Sequence, residues 1–344
     1  MQTKAAYLMG TQDIRIGDCD VAPCGKDDVV VQMKHVGICG SDMHFYEFGR
    51  IGRRVVTEPF ILGHECAGII SEVGENVTHL KPGDKVVMEP GVPCGKCEFC
   101  RSGRYNLCPD VKFISSPPDQ GAMRQLMTYP AAWTYRLPDN ITTLEGAMIE
   151  PFAVGLHAAS RGEAGPGKTA AILGTGTIGL MTLLACRADG IDKVYVSDIF
   201  ENRLDKAKLL GADETICAAK EDTTERIAQL TDGRGVDIVF ETAGSPKTAV
   251  QAVTLVKRGG VIVQVGNITA ETPYVFNELS RLEVDIRTVF RYHHMFQKAI
   301  GLMENGTVDL MKIGPRIFPF EKTAEAFACN LAEKKDITKV VVEF

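Results

Sequence analysis

Two kinds of hydrophobic patterning follow one another along the chain. In the first part short apolar runs alternate with turn residues. Val29-Val30-Val31-Gln32-Met33 is one such run, and Ala67-Gly68-Ile69-Ile70-Ser71-Glu72-Val73, closed by Gly74, is another. Lys81-Pro82-Gly83-Asp84 then breaks the chain before Lys85-Val86-Val87-Met88. Short runs punctuated by Gly and Pro are strands with tight turns, and their repetition predicts a compact β-barrel. Near Pro151 the pattern changes. Ala170-Ala171-Ile172-Leu173 is a buried strand, a glycine cluster follows, and Ile178 to Ala188 has helical character. Lys193 to Asp198 is a second strand, Glu201 to Leu210 an amphipathic helix stopped by Gly211, and Val236–Phe240 and Gly260–Gly266 are further buried strands. Strands alternating with helices predict a parallel, doubly wound sheet. After about Phe290 the pattern is mixed, as expected of a tail that packs back on the first domain.

Composition narrows the class. A chain of 344 residues exceeds one ordinary core and suits two domains. Hydrophobic residues at 45% and charged residues at 24% are those of a soluble globular enzyme. A net charge of −6 argues against nucleic acid and anionic membrane surfaces as partners. No apolar run is long enough to span a bilayer, and Met1 to Tyr7 lacks the apolar stretch of a signal peptide, so a cytoplasmic location is expected.

Gly174-Thr175-Gly176-Thr177-Ile178-Gly179 follows a strand and opens a helix, which is the context a dinucleotide fingerprint requires. The first glycine allows the tight turn, the second lets backbone approach a pyrophosphate, and the third lets helix and strand pack closely. The helix N-terminus attracts the phosphates. Asp198 ends the next strand, at about the ~20-residue spacing of an acid that accepts hydrogen bonds from ribose hydroxyls. A carboxylate there repels a 2′-phosphate and favours NAD over NADP, while the nearby Arg203 is of the type that pairs with such a phosphate.

The 11 cysteines are too many and too clustered to ignore. Cys94, Cys97, Cys100 and Cys108 form C-x2-C-x2-C-x7-C, with Gly91, Gly95 and Gly103 suited to the loops that wrap an ion. In a reducing compartment such a cluster is a metal site rather than a disulfide framework. Four thiolates close a tetrahedral shell around zinc and leave no open position, so the role is structural. An iron–sulfur cluster is the rival, and Pro109 after Cys108 echoes its signature, although the last gap is longer than in that motif. Cys19, Cys24, Cys186 and Cys329 lie outside the cluster and are small packing residues.

Three further potential ligands flank the barrel strands: Cys39 in Gly37-Ile38-Cys39-Gly40-Ser41-Asp42, and His64 with Glu65 in Leu62-Gly63-His64-Glu65. Each alone is weak. Together with Gly49-Arg50-Ile51-Gly52, Gly103-Arg104-Tyr105-Asn106-Leu107-Cys108, Ile149-Glu150-Pro151 and Val289-Phe290-Arg291-Tyr292, they resemble the zinc-containing medium-chain dehydrogenase/reductase superfamily, and within it the sorbitol/xylitol (polyol) dehydrogenase branch. The resemblance runs over essentially the whole chain.

That resemblance implies an α/β architecture: a chaperonin-10-like barrel at 1–152 carrying the structural zinc lobe at about 91–109, a Rossmann domain at 153–289, and a return to the catalytic domain over 290–344. It implies two zinc ions per chain, one catalytic and one structural, with NAD as cofactor. Cys39, His64 and Glu65 resemble the catalytic ligands, and water or substrate oxygen takes the fourth position. Glu150 matches a carboxylate beside the metal, where simple alcohol dehydrogenases often place cysteine, and this tilts the substrate toward polyols. Arg291 and Tyr292 match residues that contact polyol hydroxyls, with Arg291 also near the cofactor, and Val265, Gly266 and Asn267 match a loop over the nicotinamide. Ser41 resembles the first hydroxyl of a proton relay that His44 continues to solvent. Phe45 stands where some polyol dehydrogenases carry a substrate-touching tyrosine, a departure that bears on which polyol is used. The implied activity is oxidation of a secondary hydroxyl to a ketose by a homo-oligomer, a tetramer in most of the family. Alternatives are dehydrogenation of threonine, a sugar acid such as idonate or a simple secondary alcohol, or a non-catalytic protein on the same fold.

Overall fold

The apolar run at Val29–Met33 is part of a longer strand, Asp28–Ile38, that organises the first half of the molecule. In this computed structural model, which describes residues 2–268 and 270–344, Asp28–Ile38 pairs antiparallel with Glu65–Val73, Leu126–Pro130 and Val340–Glu343. Beyond Glu65–Val73 the sheet continues through Lys85–Met88 to Thr134–Arg136, and on the other side Arg316–Pro319 runs parallel to Val340–Glu343. Gln2–Gly10, Asp13–Asp20 and Phe60–Ile61 form a separate three-stranded sheet. Val29, Val31, Met33 and Val36 point into a core shared with Phe45, Phe320 and Phe327. Each such side chain contributes about 1.5–3 kcal/mol by leaving water.

The second sheet has six strands, all parallel, in the order Glu214–Cys217, Lys193–Asp198, Thr169–Leu173, Val236–Glu241, Val256–Gln264, Asp285–Thr288. Taken in chain order this is the 3-2-1-4-5-6 arrangement of a Rossmann sheet. Ala170 to Leu173 are buried at every position, as a strand covered by helices on both faces must be.

The chain separates into two units. The first comprises the chain up to Glu150 with Phe296–Gly306 and Gly314–Phe344, and the second Pro151–Met295 with Thr307–Ile313. The boundaries thus differ from those expected at 152 and 289, and the tail is shared. Val308, Leu310 and Ile313 are buried, and Lys206 of helix Glu201–Leu209 donates to the Ile313 carbonyl at 3.2 Å, which holds this short segment on the second unit. The last strand, Val340–Glu343, is integral to the barrel sheet because its three valines are wholly buried there. Among the described residues no helix is long and apolar enough to cross a membrane.

Candidate active site and metal centres

Two ligand sets emerge in the first unit. The sulfurs of Cys94, Cys97, Cys100 and Cys108 lie within 4.8 Å of one another. Gly95 and Gly103, with φ of +73° and +76°, bend the loop around them, and Cys97 precedes the short helix Glu98–Arg101 that carries Cys100. The sulfurs of Cys97 and Cys100 are 3.4 Å apart, those of Cys94 and Cys100 4.0 Å. A tetrahedral zinc with Zn–S of about 2.3 Å requires edges of roughly 3.8 Å, so the donor set fits that ion. Backbone N–H groups of Lys96 and Cys97 lower the Cys94 thiol to about 7, which favours the thiolate a metal needs. Among the described residues all cysteines are free thiols.

The lobe is tied to the barrel through Glu89. Tyr105 of the lobe and Tyr135 of the strand Thr134–Arg136 donate to its two carboxylate oxygens at 2.8 and 2.9 Å, and Tyr129 donates to its backbone carbonyl at 2.7 Å. Burial raises the Glu89 carboxyl to about 7 against the lowering effect of those phenols.

The second set is Cys39, His64 and Glu65, whose donor atoms also lie within 4.8 Å of one another. Strand register creates it. Gly37 stands opposite Glu65 across the ladder between Asp28–Ile38 and Glu65–Val73, so Cys39 leaves one strand end where His64 and Glu65 enter the other. One thiolate, one imidazole and one carboxylate could offer zinc three ligands and would leave a position open, as a catalytic rather than a structural centre requires.

Asp42 builds the support of this set. Its Oδ2 accepts the Cys39 backbone N–H at 3.0 Å, which caps the helix Gly40–Phe48, and its Oδ1 lies 3.5 Å from His64 Nδ1. Ser115 donates to Oδ1 at 2.6 Å. With Nδ1 directed at Asp42, Nε2 is the nitrogen left for a metal, the usual carboxylate–histidine–metal pattern. Burial alone would lower the His64 pKa, but Asp42 and Cys39 raise it well above its ordinary value. Burial would raise Asp42, yet His64, Ser115 and the Cys39 N–H hold it below its ordinary value. A buried pocket of negative charge of this kind is matched to a cation. The sequence pattern contains Asp42 but gives it no role, and Ser115 carries no signal in its own neighbourhood.

Other expected residues fall as follows. Ser41 is half-buried on the first turn of Gly40–Phe48, and His44 is exposed one turn later with its ring 5.9 Å from that of Phe48. Phe45 is buried in the barrel core against Phe60. Glu150 is buried at the head of helix Ile149–Arg161; burial, Glu150 and Glu65 together push the Cys66 thiol far up.

In the second unit Gly174 has φ of +99°, and a Cβ at Gly179 would collide with the Gly174 carbonyl oxygen, so both positions demand glycine. Gly176 caps helix Thr177–Ala188, whose second residue is Ile178, and a Cβ at Gly176 would meet no protein atom. Asp198 carries an additional load: its Oδ2 accepts from Thr175 N and Oγ1 at 2.7 and 2.6 Å, and Oδ1 accepts from Phe200 N at 3.0 Å. The acid expected to face ribose therefore also braces the glycine turn. The Arg203 guanidinium lies 5.4 Å from the Phe200 ring centroid. Val265 and Gly266 donate backbone N–H groups to the Glu241 carbonyl at 2.9 and 2.8 Å, and Asn267 is exposed. Arg291 occupies left-handed backbone with φ of +54°, a conformation that costs a non-glycine residue energy. Its guanidinium covers the Phe290 ring at 4.8 Å, and Tyr292 is buried. His293 packs edge-on against His157 at 4.8 Å, and burial, His293 and Arg161 push His157 down to about 4.

Known proteins resemble this chain in sequence and fold. The family described as "Alcohol dehydrogenase GroES-like domain" matches residues 25–139, and that described as "Zinc-binding dehydrogenase" matches 177–305. Sorbitol dehydrogenase from Bacillus subtilis is 42% identical over 344 residues, covering 98% of this chain and 96% of that protein. The crystal structure of an Escherichia coli oxidoreductase/dehydrogenase of unknown specificity superposes with a TM-score of 0.97 at 42% identity, over 100% of this chain and 99% of that one. A zinc-binding dehydrogenase from Sinorhizobium meliloti, crystallised with NADP, superposes with a TM-score of 0.92 at 28% identity over the whole of both chains.

Replacing Cys97 by serine opens the four-sulfur shell without touching the other ligand set. Metal analysis should show one zinc fewer per chain, with an apparent melting temperature lower by about 5 °C or more. A variant as stable as the parent with its full metal complement would contradict a structural role for this lobe.

Proposed function

The chain belongs to the zinc-binding alcohol dehydrogenase family, in the polyol branch of the medium-chain dehydrogenase/reductase superfamily, and from that premise we propose that it oxidises a secondary hydroxyl of a sorbitol- or xylitol-like polyol to a ketose with NAD as hydride acceptor. The convergence of Cys39, His64 and Glu65 within 4.8 Å carries the proposal. Zinc bound there supplies Lewis acidity that brings a substrate hydroxyl toward ionisation at neutral pH, and NAD supplies the two-electron acceptor.

The chain's own residues do the rest. Asp42 fixes the His64 ring, and Ser41 receives the hydroxyl proton and passes it toward His44 and solvent. Glu150 supplies a second carboxylate beside the metal set. Arg291 and Tyr292 bind the remaining polyol hydroxyls, and Phe45 shapes the apolar side of the substrate. Gly174, Gly176, Ile178 and Gly179 receive the pyrophosphate, Val265, Gly266 and Asn267 the nicotinamide. Asp198 selects NAD, since three donors already hold its carboxylate ready to accept from a ribose and a 2′-phosphate would meet its charge. A cytoplasmic homotetramer belongs to the same proposal. The sheet edge at Asp285–Thr288, with Ile286 partly exposed on it, and the exposed Phe276 and Phe290 support association of copies.

NADH formation by the purified protein, measured against sorbitol, xylitol, galactitol, idonate, threonine and a simple secondary alcohol, tests the substrate. Preference for a polyol is expected; turnover of only idonate, threonine or the simple alcohol would remove the polyol assignment. Ser41→Ala should lower kcat by about 10²-fold or more with zinc content unchanged. Unaltered turnover would take Ser41 out of the proton path.

A further inference from the structure

A lysine is buried in the barrel beside the Cys39, His64 and Glu65 set. Lys339 and Glu65 are each 1% exposed at the side chain, and they form an ion pair through Glu65 Oε2. Lys339 Nζ also donates to the carbonyl of Ile38, the residue before Cys39, at 3.0 Å. It is followed in the chain by Val340, Val341 and Val342, all wholly buried. Desolvating an ammonium group is costly unless it is paired, so a lysine here marks a place where the charge has a task.

The backbone is arranged to admit it. Gly37 lies between Glu65 on one neighbouring strand and Val341 on the other. A Cβ on residue 37 would overlap Glu65 Oε2 and come within 3.0 Å of Lys339 Cε. The absence of a side chain at Gly37 is therefore what lets the carboxylate and the lysine stem meet across the central strand. The pair is made through one oxygen of the carboxylate, Oε2.

We propose that Lys339 is a positioning residue for the catalytic metal centre: by tying Glu65 to the backbone beside Cys39, it fixes the carboxylate in the orientation in which it ligates. This rests on the assignment of Cys39, His64 and Glu65 as zinc ligands and adds to it a residue from the far end of the chain. Lys339 acts through Glu65 alone and has no part in the four-cysteine lobe.

Zinc affinity is measured on the full-length protein by competition with a chromophoric chelator, and ligand geometry from the visible spectrum of the cobalt-substituted protein. Lys339→Met should weaken one of the two zinc ions about 10–100-fold, leave the other unchanged, and alter the cobalt bands. Lys339→Arg, which keeps the charge, should recover both readouts. A folded Lys339→Met with parental affinity and spectrum would overturn the proposal. A second comparison stands even if that variant does not fold. In a Glu65→Gln background, adding Lys339→Met should leave zinc affinity where Glu65→Gln alone puts it, because the carboxylate it served is gone. A further loss in the double variant would overturn action through Glu65. Cys39→Ser separates the two levels: it should lose one zinc, and retention of both ions would refute the metal-centre assignment itself rather than the role of Lys339.

Discussion

The molecule's chemistry hangs on strand register at one glycine. Gly37 faces Glu65 on one side and Val341 on the other. A slip of one residue along either ladder would send every side chain to the opposite face of the sheet. Cys39 would then no longer lie beside His64 and Glu65, and Lys339 would lose its carboxylate. Val29, Val31 and Val36 on one strand and Val340 and Val342 on another share one core, and a slip would take them out of it. Core packing and ligand placement are the same constraint seen from two faces.

Buried charge is the second organising feature. Asp42, Glu65, Glu89 and Glu150 are all at most 5% exposed, in a unit whose remaining interior is largely apolar. Three of them have partners that fit their tasks. Glu89 has two phenols and ties the cysteine lobe to the barrel, Asp42 serves His64 and a helix start, and Glu65 has Lys339. Such a concentration of acid is stable only where cations or hydrogen-bond donors meet it, and the triad offers a divalent ion two anionic ligands and one neutral one. The two ligand sets of this unit differ in kind: four sulfurs would close the shell of an ion, whereas one sulfur, one imidazole and one carboxylate would leave it a free position.

Much of this is legible in the sequence, for local reasons. The glycine turn between strand and helix is legible because its turn and close helix packing are set within a short stretch, and the φ of Gly174 and the crowding at Gly179 show why. The four cysteines are legible because one loop carries all of them. What escapes the sequence depends on distance along the chain. Ser115 reaches Asp42 across 73 residues, and Lys339 reaches Ile38 across 301; no periodicity connects such pairs. The load on Asp198 from Thr175 is hidden for a different reason, since the ribose reading of that acid is sufficient and conceals the turn it braces. The sharing of the tail between units follows from the burial of Val308, Leu310 and Ile313, a short apolar set too irregular to declare its partner.

X-ray absorption at the zinc edge, combined with metal counting on the purified protein, tests the central claim most directly. The account predicts two zinc ions per chain, one bonded to the four sulfurs of Cys94, Cys97, Cys100 and Cys108 and the other bonded directly to the Cys39 sulfur, a His64 nitrogen and a Glu65 oxygen. A single zinc surrounded by sulfur alone would contradict it, because the register at Gly37 would then bring together three side chains that hold no metal.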